Sequence, residues 1–145
     1  MNQLKKEIII YFISISVGLF LITYLLEIPH RVTGNREIVN KYYLENFSDN
    51  VPLDFFFIIV YFMIGNYIID YLKITDAKNK LLTIGATTAL ITGGFYIYFT
   101  NSPVTKNFFS IWFHTVGKTS IVYDVILLVF IYAIILWLKR KINKN

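Results

Sequence analysis

The sequence predicts an all-α integral membrane protein, a four-helix bundle with both termini on the cytoplasmic side, and three observations carry that expectation. Four apolar stretches, at 8–26, 55–69, 81–99 and 119–138, alternate with short charged segments. A hydrocarbon slab about 30 Å thick takes roughly 20 residues of helix to cross, and these stretches reach that length once their flanks are included. Hydrophobic residues make up 56% of the chain and charged residues 16%, well away from the roughly 45–50% and 25% of a soluble domain. Finally, the basic residues are distributed unevenly between the two sides that a four-span layout creates.

The first stretch, Ile8 to Leu26, is 19 residues without a charge, and Pro29 in Glu27-Ile28-Pro29-His30 prevents the helix from continuing. Lys5 and Lys6 before it resemble the start of a secretory signal. The apolar run is longer than a signal core, and no small-residue cleavage site follows, so an uncleaved first span is expected. The second stretch holds only 15 uncharged residues between Asp54 and Asp70, and reaches crossing length only by including an aspartate. The third, Leu81 to Phe99, gives 19 uncharged residues, and the fourth gives 20 between Lys118 and Lys139 with Asp124 inside. The expected spans are therefore about 8–27, 51–72, 81–100 and 119–138 in a single membrane domain covering 1–145. Both termini and the loop between spans two and three share one side, which carries nine of the 14 basic residues: Lys5, Lys6, Lys73, Lys78, Lys80, Lys139, Arg140, Lys141 and Lys144. The positive-inside rule makes that side cytoplasmic. The tail Lys139, Arg140, Lys141 and Lys144 is then expected to face the anionic lipid of the inner leaflet, at roughly 1 kcal/mol per basic residue.

Two outer segments are expected to form short interfacial helices. In residues 27–53 the charges alternate while Ile38, Val39, Tyr42, Tyr43 and Phe47 fall at near-helical spacing, which suggests an amphipathic helix lying on the membrane surface. Asn46-Phe47-Ser48 matches a glycosylation acceptor on that side. After the turn at Asn101-Ser102-Pro103, the residues Phe108, Phe109, Trp112, Phe113 and Val116 occupy one helical face, with Ser110, His114 and Lys118 largely on the other. Aromatics concentrate at headgroup level, so Phe108, Phe109, Trp112 and Phe113 are expected to anchor an interfacial helix, with a partner-binding surface as the alternative.

Polar and small residues inside the spans are few. Gly85, Ala89 and Gly93 recur every four residues in span three, the pattern that lets backbones approach closely in lipid, and Thr88 and Thr92 lie beside that stripe. Span three is expected to be the packing centre, with another span as partner and a second copy of the chain as the alternative. Ser14 and Gly18 form a shorter version of the same device in span one. Asp124 cannot lie outside span four: only 14 residues remain between it and Lys139, about 21 Å of helix at 1.5 Å per residue. A carboxylate at that depth costs on the order of 3 kcal/mol and should face the interior with a partner; Thr92 and Tyr96 match its depth. Asp54 and Asp124 both fall toward the outer face, and Asn66 adds a third intramembrane polar group. A metal or general-base site built from His30, His114, Asp54 and Asp124 has suitable ligand types. However, the chain has no cysteine and no H-x-x-x-H or H-E-x-x-H spacing, so no metal, no cofactor and no catalytic residue are expected.

The run Phe108-Phe109-Ser110-Ile111-Trp112-Phe113-His114-Thr115-Val116-Gly117, continuing to Tyr123-Asp124-Val125, resembles small multi-span membrane proteins of giant nucleocytoplasmic large DNA viruses. The abundance of Ile, Phe, Tyr, Asn and Lys agrees with an AT-rich genome. The resemblance covers the C-terminal third, about 35 residues, and brings no active-site residues with it. It implies the internal membrane of a virion, or host endoplasmic reticulum, and a role linking lipid to capsid. The expected function is thus non-enzymatic and structural or assembly-related, with the lipid bilayer, the capsid or other membrane proteins as partners and no nucleic acid. The alternatives are a small transporter or channel using Asp124 and Asp54, and a membrane enzyme with an outer-face His/Asp site.

Overall fold

The computed structural model describes residues 2–142, which are helical with no strand among them. The chain begins with α1, Gln3–Leu19, whose first turn is capped by the Asn2 side chain accepting from the Leu4 amide. It continues without a break through a π-helical segment, Phe20–Leu25. Glu27 then takes a left-handed conformation (φ 48°), which starts the short helix α2, Ile28–Thr33, with Pro29 in its first turn, where a missing N–H costs nothing. Gly34 (φ 64°) closes α2 and Asn35 caps α3, Arg36–Asn40, which runs on as a π turn through Lys41–Glu45. The long helix α4 covers Phe47–Tyr71 and α5 covers Ala77–Thr100. Asp76 caps α5 by accepting from the Asn79 amide at 2.9 Å, and that contact holds its carboxyl below the usual carboxylate range. Asn107 caps α6, Phe108–Val116, and Gly117 (φ 59°) turns the chain into α7, Thr119–Ile142.

Four of these helices, α1 with its π extension, α4, α5 and α7, are long and apolar enough to cross a membrane. All four extend beyond the lengths expected from uncharged residues alone, because their charged ends remain helical: α4 starts at Phe47 rather than 51 and α7 ends at Ile142 rather than 138. At 25 residues, about 37 Å, α4 encloses both Asp54 and Asp70. Phe12, Met63, Leu90 and Trp137 point outward, each more than half exposed. Large apolar side chains displayed on all four helices suit lipid as the surrounding solvent rather than water.

Helix α7 lies against α1 on one side and α5 on the other, while α4 packs on α5. Its inward face, Tyr123, Leu127, Leu128, Ile131, Tyr132 and Ile135, is buried at three- and four-residue spacing. The small-residue stripe of α5 meets α7, so its partner lies within the chain: a Cβ on Gly85 would sit 3.3 Å from Val129, and one on Gly93 would sit 3.9 Å from Ile121. Gly93 therefore has ordinary room, contrary to its expected place at the closest approach. That place belongs to Gly18, where a Cβ would overlap Cγ1 of the fully buried Ile131, and to Gly65, where it would come within 2.5 Å of Ile84 Cδ1. Helices α5 and α7 form the most extensive pair in the bundle; α5 also meets α4 and α6, and α7 also meets α1, α2 and α6.

The apolar faces of both segments between the long helices, expected to lie on a membrane surface, turn onto the bundle instead. Ile38, Val39, Tyr42 and Tyr43 are all at most 6% exposed, because their apolar face finds the open end of the bundle before it finds headgroups. Trp112 and Phe113, expected as interfacial anchors, are 6% exposed for the same reason, and Phe108 and Phe109 pack against the core. Phe113 stacks on Phe99 of α5 at 5.4 Å, and Phe109 meets Phe57 of α4 at 5.8 Å.

Gly18→Ala should destabilise the bundle by about 1–3 kcal/mol, because Ile131 has no free rotamer space to move into. Gly93→Ala should be nearly neutral. Thermal unfolding of both variants in one detergent tests the ranking, and equal midpoints would contradict it.

Candidate functional site

Helices α4 and α7 run in the same direction, so Asp54 and Asp124, each near the start of its helix, reach the same end of the bundle. Asp124 accepts a hydrogen bond from Thr92 Oγ1 of α5 at 2.7 Å, and Thr92 is paired in turn with the Tyr61 hydroxyl of α4 at 2.9 Å. One buried threonine thus connects three spans. Asp54 accepts from the Tyr42 hydroxyl, and the Tyr42 carbonyl accepts from Asn50 Nδ2 at 3.1 Å, which fixes the tyrosine from both ends. Beside this pair, the Tyr43 and Tyr123 hydroxyls meet at 2.8 Å, Tyr123 reaches Thr23 of the π-helical segment after α1 at 3.0 Å, and Tyr24 donates to the Tyr43 carbonyl at 3.0 Å. Burial pushes the Tyr42 and Tyr43 phenols well above their ordinary range, and the Asp54 charge adds to that effect, so both remain protonated donors at physiological pH.

Both carboxylates line a cavity of about 150 Å³, walled by aromatic rings from Phe57 and Phe95 of the spans and Phe109 and Trp112 of α6. Tyr42 contacts Phe108 and Trp112 with ring centroids 5.0 Å apart in each case, so α3 and α6 close over the cavity together. The Oδ2 atom of Asp54 is buried without a hydrogen-bond partner. Among the described residues the ion pairs are Arg36–Glu27 and Lys139–Glu7, so no basic side chain neutralises Asp54 or Asp124.

The histidines stand apart from the carboxylates. His30 Nε2 lies 2.7 Å from Asn40 Oδ1, and the two His114 nitrogens face the Ser110 and Ser102 carbonyls at 2.7 and 3.1 Å. Among the described residues, no group of three or more His, Asp or Glu side chains is arranged to hold a metal ion. Tyr96, expected near Asp124, has only its backbone carbonyl in a side-chain bond, accepting from Thr100 at 2.7 Å. Asn46 uses its amide on the Lys41 carbonyl at 2.8 Å.

Asn66 builds a second polar layer deeper in the bundle. Its amide donates to Tyr11 of α1 at 2.9 Å and its carbonyl accepts from Tyr132 of α7 at 2.6 Å. Ile15, Phe62, Leu128 and Ile131, all buried, lie between the two layers in helix register. At the far end Lys139 pairs with Glu7 at 2.6 Å and lies over the Tyr11 ring, so it joins α7 to α1 instead of serving as a free lipid contact. Arg140 is exposed, Lys141 lies 5.9 Å from the Trp137 ring centroid, and Lys144 is outside the described residues.

No family model, curated protein or solved structure matches the chain.

Asp124→Asn should leave thermal stability within about 1 kcal/mol of the parent, since an amide carbonyl still accepts from Thr92. Asp124→Leu should cost about 1–3 kcal/mol by removing the acceptor of the buried Thr92 hydroxyl, which keeps only its bond with Tyr61. Matching midpoints for Leu and Asn in a detergent melt would place Asp124 in contact with water rather than Thr92.

Proposed function

We propose that this chain is a non-enzymatic, architectural membrane protein that holds a rigid framework in the bilayer and links it to a neighbouring protein layer. The observation that carries this reading is the way the interior polar side chains are used. Thr92, with Tyr61 and Asp124, ties three spans at one end. Asn66, with Tyr11 and Tyr132, ties three again at mid-depth, and Glu7–Lys139 closes the other end. Such bonds between helices in lipid contribute about 0.6 kcal/mol each on average, and more in favourable cases. Spread over three depths, they resist both sliding and rotation of the helices. On this reading the membrane would be the internal membrane of a virion and the partner layer its capsid protein.

A transporter or channel would need a polar route between the carboxylate end and the Asn66 layer. Ile15, Phe62, Leu128 and Ile131 fill that region with side chains at most 3% exposed, which favours the architectural reading. An enzyme with an outer-face His/Asp site would need His30 or His114 near a carboxylate, and both are bonded elsewhere.

Quantitative mass spectrometry of the native membrane or of purified particles should find the protein in amounts comparable to the major structural components. Proteoliposomes should show no proton or cation flux, with or without Asp124→Asn. Trace abundance, or a flux abolished by Asp124→Asn, would overturn the proposal.

A further inference from the structure

The framework accounts for Asp124 but leaves Asp54 half used. One carboxylate oxygen accepts from Tyr42, while the other is buried, has no partner and belongs to a side chain that lines the aromatic cavity. Removing a carboxylate from water without a counter-charge is among the costliest acts in folding, and no lysine or arginine pairs with either aspartate among the described residues. The cavity walls bear on what would supply the missing charge. A hard divalent cation takes six to eight oxygen ligands, whereas most of the residues lining this cavity are aromatic, and the hydroxyls of its four tyrosines are already bonded to Asp54, Thr23, Thr92 or one another. Rings arranged around a negative centre suit a large, weakly hydrated organic cation, the arrangement by which aromatic cages hold quaternary ammonium groups. The volume of about 150 Å³ equals that of a cavity able to take one benzene-sized molecule, which is also the scale of a trimethylammonium group.

We infer that the cavity between Asp54, Asp124 and the α6 aromatics is a binding site for an organic ammonium group, supplied either by a choline-type lipid headgroup or by a free amine. Asp54 supplies the charge through its unpartnered oxygen, and the rings of Phe109 and Trp112 enclose the alkylated face of the cation. The site depends on membrane insertion and not on the architectural role.

The test uses the full chain with Trp137→Phe, which leaves Trp112 as the sole tryptophan, in nanodiscs of phosphatidylglycerol, a lipid without an ammonium group. Choline chloride should change Trp112 fluorescence saturably, while sodium chloride at equal ionic strength and the uncharged isostere dimethylbutanol should not. Asp54→Asn keeps an acceptor for Tyr42 and should weaken choline binding about tenfold or more, the loss of one strong charge contact. Phosphatidylcholine nanodiscs then distinguish the sources. A spectrum already shifted and insensitive to added choline identifies the lipid headgroup, and an unchanged choline titration identifies a free amine. The inference is overturned if choline gives no saturable change, if the isostere or sodium matches it, or if Asp54→Asn binds choline as tightly as the parent. The isostere comparison uses the parent chain, so it decides the matter even should the variant fail to fold.

Discussion

Inside an apolar bundle a polar side chain has no water to fall back on, and the bond between Thr92 and Asp124 is where this chain meets that constraint first. Because the Thr92 hydroxyl has Asp124 as its acceptor at 2.7 Å, the rotation of α7 about its axis is tied to the rotation of α5. With α7 so oriented, Tyr123, the neighbour of Asp124, is directed toward Thr23 and Tyr43. Two turns further on, Tyr132 reaches Asn66. The apolar contacts of Leu128 and Ile131 fit between these two fixed levels. They contribute most of the buried surface, but they do not choose the angle, since one aliphatic face packs against another in many orientations.

The four long apolar helices were legible because length without charge is visible in a sequence. The pairing of Asp124 with Thr92 was legible too, since both could be placed at one depth by counting residues from the span ends. The partners of Asp54 were not, because Tyr42 belongs to an outer segment whose position no periodicity specifies. The same gap explains α3 and α6. An apolar helical face announces that it will be buried, but it does not say whether lipid or protein will bury it. Phe109 and Trp112 were therefore expected among headgroups and are found over a cavity. Gly93 and Gly18 make the point for packing. A small residue reveals where approach is permitted, and the bulk opposite decides whether it is used: Ile131 stands directly against Gly18, while Ile121 keeps its distance from Gly93.

The two ends of the bundle differ in kind. The end carrying Glu7 and Lys139 is closed by opposite charges and a cation–π contact, with both side chains about one-third exposed. Pairs so near solvent are individually weak, and this one serves chiefly to keep the ends of α1 and α7 together. The other end is closed by aromatic side chains from two separate segments, and encloses empty volume and an orphaned carboxylate oxygen. An end assembled from several independent pieces of chain can part locally without disturbing the spans below it.

The π-helical segment that ends α1 adds one last constraint. Over Phe20–Leu25 the bonds reach five residues back, as in the Leu26 amide to the Leu21 carbonyl at 2.8 Å. This wider winding lets two consecutive residues, Thr23 and Tyr24, both hydrogen-bond inward, one to Tyr123 and the other to the Tyr43 carbonyl. Helical phase is thereby a quantity separate from helical length. Removing a single residue here would leave the span long enough to cross lipid, yet would turn everything after it by about 100°. Glu27, Pro29 and the rim they begin would then emerge over a different face of the bundle. The outer rim is geared to the membrane helices through one wide turn, so this segment should accept changes of side chain on its lipid face far more readily than a change in residue number.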